Sequence, residues 1–141
     1  MNMLALIIGL VIAVIVILRF KSRRLENTKW AYPLMLASFP IYYWVFAISA
    51  KDYHALVNEI SIGFLFFFVA FLAYRFKSPF TMLLLGIGFV SHALYDFFHA
   101  SLFNNSGTPI WWPEFCGAVD ILIGLYILYL ACILGNKNRF L

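Results

Sequence analysis

Pro79-Phe-Thr-Met-Leu-Leu-Leu-Gly-Ile-Gly-Phe-Val-Ser-His-Ala-Leu-Tyr-Asp-Phe-Phe-His-Ala-Ser-Leu102 is a run long enough to cross a bilayer, yet it carries His92, Asp96 and His99. A membrane helix needs about 20 mostly apolar residues. Ser78 before Pro79 reads as an N-cap followed by a first-turn proline, which starts the run as a helix. At 100° per residue, His92, Asp96 and His99 then point at about 0°, 40° and 340°. They form one polar stripe on a helix otherwise made of Phe, Leu, Ala and Tyr. Such a stripe must face protein or a water-filled cavity, because charge exposed to hydrocarbon is costly. This helix therefore needs companions.

The rest of the sequence supplies them. Apolar runs of comparable length lie at about 2–18, 31–50, 55–75 and 112–134, besides 79–102. The chain is 65% hydrophobic and 11% charged, with a mean hydropathy of +0.93. A soluble domain is about a quarter charged, so this chain cannot cover its surface with polar groups. A transmembrane barrel would show short segments of alternating polarity; these runs are continuously apolar. The expected fold is a single all-α integral membrane domain over 1–141, a bundle of five transmembrane helices. The first run lacks a basic flank before it and a small-residue cleavage site after it, so it is read as a retained helix rather than a signal peptide.

The net charge of +4 is explained by its distribution. Arg19, Lys21, Arg23, Arg24 and Lys29 fall in the first loop, Arg75 and Lys77 in the third, and Lys137 and Arg139 in the tail. Lys51 alone falls in a loop of the other parity. This is a positive-inside pattern. It places the N-terminus outside and the C-terminus in the cytoplasm. The basic first loop is expected at anionic lipid headgroups, not on nucleic acid. Tyr42, Tyr43, Trp44, Trp111 and Trp112 are expected in the outer aromatic belt and Trp30 in the inner one. Pro33 suits the start of the second helix, and Pro40 is expected to kink it. Cys116 and Cys132 sit about 24 Å apart along the last helix, too far for a disulfide. Asn104-Asn-Ser-Gly-Thr-Pro109 is turn chemistry and includes a glycosylation triplet, which matters only in a eukaryotic secretory setting. Arg19-Phe-Lys-Ser22 recurs as Arg75-Phe-Lys-Ser78, and Glu59-Ile-Ser-Ile-Gly63 resembles Asp120-Ile-Leu-Ile-Gly124. The matches suggest a weak parallel repeat of helices 2–3 and 4–5.

Depth adds the functional clue. With this topology Glu59, His92, Asp96, His99 and Asp120 all fall in the outer half of the bilayer, with Asn58, Ser61, Ser91 and Cys116 at similar levels. The inner half has no comparable group. Three readings compete, with binding of an organic polar ligand as a fourth. In the leading one, His92, Asp96, His99 and Asp120 supply ligands to a divalent transition metal, zinc or iron. His92 and His99 are about 10.5 Å apart along the axis, so one histidine with Asp96 would meet Asp120 or Glu59 from another helix. The second reading is a proton or ion relay, which lacks a continuation in the inner half. The third is a structural cluster, whose weak interhelical bonds are set against a high insertion cost. His54 reads as an exposed loop residue, Glu114 as a helix cap, Cys116 as a small packed residue, and Tyr95 as a belt tyrosine or a donor to the site. Gly86, Gly88 and Ala93 are suited to a helix–helix face within the chain or in a homo-oligomer.

The pattern His92-x3-Asp96-x2-His99, followed by Trp111-Trp112-Pro113-x2-Cys116-x3-Asp120, resembles a family of small bacterial integral membrane proteins with H-x3-D and W-[WY]-P-x2-C-x3-D motifs. The resemblance extends over most of the chain in length and helix layout and is specific in the last two helices. It implies a bacterial inner-membrane location and no particular activity. Membrane hydrolases of the ceramidase and adiponectin-receptor type also combine histidines with aspartate. They have seven helices and an H-x3-H motif, both lacking here. If the chain is an enzyme, metal-assisted hydrolysis of a lipid or other apolar substrate is the natural class, with Asp120 or Glu59 as general base. The alternative is a non-catalytic transporter or a subunit that binds lipid or a membrane partner.

Overall fold

The structure is a computed structural model that describes residues 2–76 and 78–137, with side chains as far as Ile133. Lys77, Arg139 and the side chain of Lys137, counted above as inner cations, lie outside the described residues. Five α-helices follow in order: α1 (Met3–Ser22), α2 (Ala31–Ser49), α3 (Tyr53–Phe76), α4 (Pro79–Leu102) and α5 (Trp112–Lys137), with a short 3-10 turn at Leu25–Asn27. All five are long and apolar enough to span a membrane. The chain is thus an all-α five-helix bundle, as the apolar runs require, and its composition makes it a multi-pass membrane protein.

Some bounds move. α1 runs a turn beyond the expected span, so Arg19 and Lys21 occupy its last turn rather than a loop. Cations there suit the negative end of the helix dipole. α2 continues through Pro40 without interruption. Ser78 caps α4 as expected, its hydroxyl accepting from the Thr81 N–H at 3.1 Å. The Thr81 hydroxyl accepts in return from the Ser78 N–H at 2.9 Å. α2 and α3 are joined by a tight Schellman turn, in which the Asp52 N–H donates to Ala47 and the Lys51 N–H to Ile48. His54 stands exposed in the first turn of α3 rather than in the loop.

α4 lies at the centre, flanked by α3 and α5; α1 packs along α5, and α2 along α3. The α1–α5 contact is set by the small stripe Ala5, Gly9 and Ala13. A Cβ on Gly9 would lie 2.4 Å from the Phe115 carbonyl oxygen, so only glycine permits that approach. Gly86 and Gly88 pack within the chain, Gly86 on Leu128 and Gly88 on Val69 and Leu36, and Ala93 is wholly buried. The rest of α1 presents Leu, Ile and Val side chains outward, as lipid contact demands.

Hereafter "outer" means the end bearing the α2–α3 and α4–α5 connections. Toward the inner end the core is dry: Leu36, Leu85, Phe89, Ile123 and Ile127 have no exposure. Apart from Thr81, which serves the capping box at the inner end of α4, the buried polar groups among the described residues, His92, Asp96, Asp120, His99, Glu59 and Asn105, lie on its outer side.

Candidate metal centre

His92 and Asp96, one turn apart on α4, meet Asp120 on α5, and all three are fully buried. The His92 Nδ1 lies 2.7 Å from the Asp120 Oδ2 and 3.4 Å from the Asp96 Oδ2. Donor atoms from the three side chains lie within 4.8 Å of one another, so the group could hold a metal ion. Two donors of one tetrahedral zinc sit about 3.4 Å apart, given bonds near 2.1 Å. The 2.7 Å contact is thus a hydrogen bond whose proton a cation would replace, and the 3.4 Å contact already has the spacing of a shared ligand pair.

Hydrogen bonding separates this group from an ordinary buried cluster. The Tyr43 hydroxyl donates to the Asp96 Oδ1 at 2.7 Å. The Asp96 Oδ2, the Asp120 Oδ1 and the His92 Nε2 are buried without any hydrogen-bond partner. Each such atom costs about 1–3 kcal/mol when left unpaired, and more if charged. Charge balance points the same way. Two ionised carboxylates and a neutral imidazole carry −2, which one divalent cation or two protons would neutralise. Phe66 and Phe39 wall the site, their rings 4.6 and 5.7 Å from that of His92.

His99 is turned elsewhere. Its Nε2 lies 2.8 Å from the Glu59 Oε1. The same oxygen accepts from the Asn105 Nδ2 at 2.8 Å, and the Glu59 Oε2 accepts from the Tyr95 hydroxyl at 2.5 Å. Glu59 is therefore met by three donors. The His99 ring stacks on Tyr43, with centroids 4.5 Å apart and planes at 22°. Tyr43 thereby joins the two groups, bonding Asp96 and stacking on His99. Its backbone carbonyl also accepts from the Asn105 Nδ2 at 3.2 Å.

Placed against the expectations, His92, Asp96 and Asp120 converge, whereas His99 and Glu59 form a second cluster nearer the outer surface. Ser61 and Ser91 face outward and take no part. Cys116 is buried beside the site, and both cysteines are free. Two residues escaped the sequence reading. Tyr43, expected in the aromatic belt, has no exposure at all, because its hydroxyl serves Asp96. Tyr42 and Trp111, half-exposed, keep the belt position. Asn105, read as turn chemistry, is 5% exposed and inserts its amide into the core. Tyr95, left between belt and site, donates to Glu59.

The chain was compared with known families, curated proteins and solved structures, and none of them matches.

Proposed function

We propose that this chain belongs to the family of small bacterial inner-membrane proteins whose H-x3-D and W-[WY]-P motifs it resembles, and that it binds one divalent transition metal through His92, Asp96 and Asp120. The observation that carries the reading is that one donor atom from each of these three buried side chains lies within 4.8 Å of the others, and each of the three also has a buried atom without a hydrogen-bond partner. Mixed imidazole and carboxylate donors suit zinc or iron. His99 is left out of the ligand set because Glu59 holds its Nε2.

A second reading, hydrolysis of an apolar or lipid substrate, is favoured by one further observation. A groove of about 170 Å³ between α1, α2 and α5 is lined by Phe39 and Cys116, which also border the cluster. Three protein ligands would leave a fourth position open, the arrangement of catalytic zinc, and a bound metal supplies an activated water. Asp120 would then hold the metal through one oxygen and act as base through the other, since its Oδ1 has no hydrogen-bond partner whereas the Asp96 Oδ1 is taken by Tyr43. Glu59 is disfavoured in that role, because three donors already occupy its oxygens.

The test is elemental analysis of the purified protein, wild type against His92→Ala, Asp120→Asn and His99→Ala. Near-stoichiometric zinc or iron is expected in the wild type and His99→Ala, and none in the other two. Absence of metal from the wild type, with metal supplied throughout purification, would reject the reading.

A further inference from the structure

The three candidate ligands are fully buried, so an ion can reach them only through an opening. Inward lie Leu36, Leu85, Phe89, Ile123 and Ile127, all without exposure. Such a layer offers no polar group to a cation stripped of water. Sideways stand Phe39 and Phe66, and the groove that reaches Phe39 and Cys116 between α1, α2 and α5 is lined by apolar and aromatic side chains, Ile12, Met35, Phe115 and Val119 among them, with no charged group to carry a cation or a charged reagent. Outward, the layer above the site is polar, and it is closed by the connection between α4 and α5, residues 103–111.

That connection is fastened in three places, none of them by regular secondary structure. The Asn105 Nδ2 donates to Glu59 and to the Tyr43 carbonyl. The Ser106 N–H and hydroxyl both donate to the Asp52 Oδ2, at 3.3 and 3.1 Å. Gly107 lies against the end of α2 so closely that a Cβ there would sit 2.0 Å from the Phe46 carbonyl oxygen. All three fastenings reach α2, α3 or the turn between them, whereas the loop itself belongs to α4 and α5. The loop therefore straps the two helix pairs together over the site. Few hydrogen bonds hold it, and the Ser106 bonds are exposed to solvent, which marks it as the segment that opens most readily.

We propose that the 103–111 loop is the outward gate of the metal site, with the Asn105 side chain as its inner latch and the Ser106–Asp52 link as its outer one. The idea rests on the metal-binding reading for its purpose, but the opening itself can be measured without metal. Cys116 provides the probe, because it is buried beside the site, one turn from Asp120 on α5 and one turn below the loop.

The full chain, carrying Cys132→Ser, would be reconstituted in vesicles. A charged, membrane-impermeant thiosulfonate would then be supplied from the outer side. Labelling of Cys116 is expected to be slow in this background and to rise on the order of tenfold or more in Asn105→Ala, which loses the side chain's bonds to Glu59, the Tyr43 carbonyl and the Gly107 N–H. Ser106→Ala, which touches only the surface link, is expected to give a smaller rise in the same direction. Equal labelling in all three forms, or faster labelling from the inner side, would overturn the gate. A second measurement follows removal of bound zinc by an external chelator. Ser106→Ala should release and take up zinc faster with no change in equilibrium affinity, whereas a matched loss of affinity would show the loop to be part of the binding site and reject the gate. If the wild type binds no zinc, the metal reading fails, and the Cys116 labelling still decides whether the loop opens.

Discussion

Replacing Asp120 with asparagine separates a metal site from a structural cluster, because the two readings give losses of very different size for the metal-free protein. With a proton on His92, the imidazolium lies 2.7 Å from Asp120 and 3.4 Å from Asp96. At an effective dielectric of about 20, these contacts attract by about 6 and 5 kcal/mol. The two carboxylates, whose donor atoms lie within 4.8 Å, repel by at least about 3.5 kcal/mol on the same scale. Asp120→Asn removes the 6 kcal/mol attraction, and it also removes the repulsion and a buried-ion desolvation cost of several kcal/mol. These changes nearly cancel. The remaining His92–Asp96 pair is neutral as a whole, so no orphaned charge is left behind. Metal-free stability is expected to change by no more than about 1 kcal/mol. His92→Gln is the contrasting variant: it leaves two carboxylates face to face and should cost about 3–5 kcal/mol.

The assay is thermal unfolding in detergent, followed by tryptophan fluorescence, first with chelator and then with added zinc. Wild type should gain stability with zinc, by about 2.7 kcal/mol when free zinc is 100 times the dissociation constant. Asp120→Asn should gain none. If Asp120→Asn instead loses 3–5 kcal/mol without metal, and zinc stabilises neither protein, the cluster is a structural ion pair and the reasoning fails.

Tyr43→Phe removes the one donor to Asp96 while keeping the ring that stacks on His99; zinc affinity should fall about 10–100-fold, as for other partners of metal ligands. Calorimetric titration with zinc checks this, and an unchanged affinity would make the hydroxyl merely structural. A further expectation concerns pH at the loop. The N–H groups of Ala55 and Ser106, followed by the Ser106 hydroxyl, hold the Asp52 carboxyl below its ordinary value. A carboxylate depressed in the folded state stabilises above its unfolded pKa, and that contribution is lost as pH falls through the folded value. The Ser106 link should therefore hold throughout the neutral range and weaken only below about pH 4. Hydrogen exchange of the 103–111 segment, corrected for intrinsic rates, should show the step, and Asp52→Asn should abolish it. A step that survives in Asp52→Asn would reject the Asp52 carboxylate as its cause.

The parts that were legible in the sequence are those with a local physical signature. Bilayer thickness sets the length of an apolar run, so the five helices follow from hydropathy alone. The helical period places His92 and Asp96 on one face of α4. What the sequence could not supply is the rotation of each helix about its axis. Glu59 and Asp120 sit at similar depths on helices of the same direction, and depth alone leaves either free to meet either histidine. The pairing follows from packing: Gly63 admits Trp44 and Pro40 against α3, and Gly124 admits Phe89 and Val90 against α5. The same holds for Tyr42-Tyr43-Trp44. Successive residues differ by 100°, so the three cannot all face the core, and the aromatic-belt rule does not say which does. The buried series Leu36, Phe39, Tyr43 and Ala47 carries the missing signal, a helical stripe on which Tyr43 falls and Tyr42 does not. Asn105 has no local signal, because its partner Glu59 is 46 positions away.

Three carboxylates in the outer core have been given two different tasks by the number of donors around them. Glu59 receives His99, Asn105 and Tyr95 and needs nothing more. Asp96 and Asp120 each keep one oxygen unpaired. A saturated carboxylate holds helices and loop together, whereas an unsaturated pair flanking an imidazole asks for a guest. Tyr43 touches both groups through rigid parts of one side chain, its hydroxyl on Asp96 and its ring on His99, while its carbonyl holds Asn105. If a cation binds as proposed, a shift of Asp96 toward it would bear on Tyr43, whose carbonyl holds Asn105 of the loop. On that reading Tyr43 would connect occupancy to closure, and Tyr43→Phe, which loses the bond to Asp96, should weaken the connection along with the affinity itself.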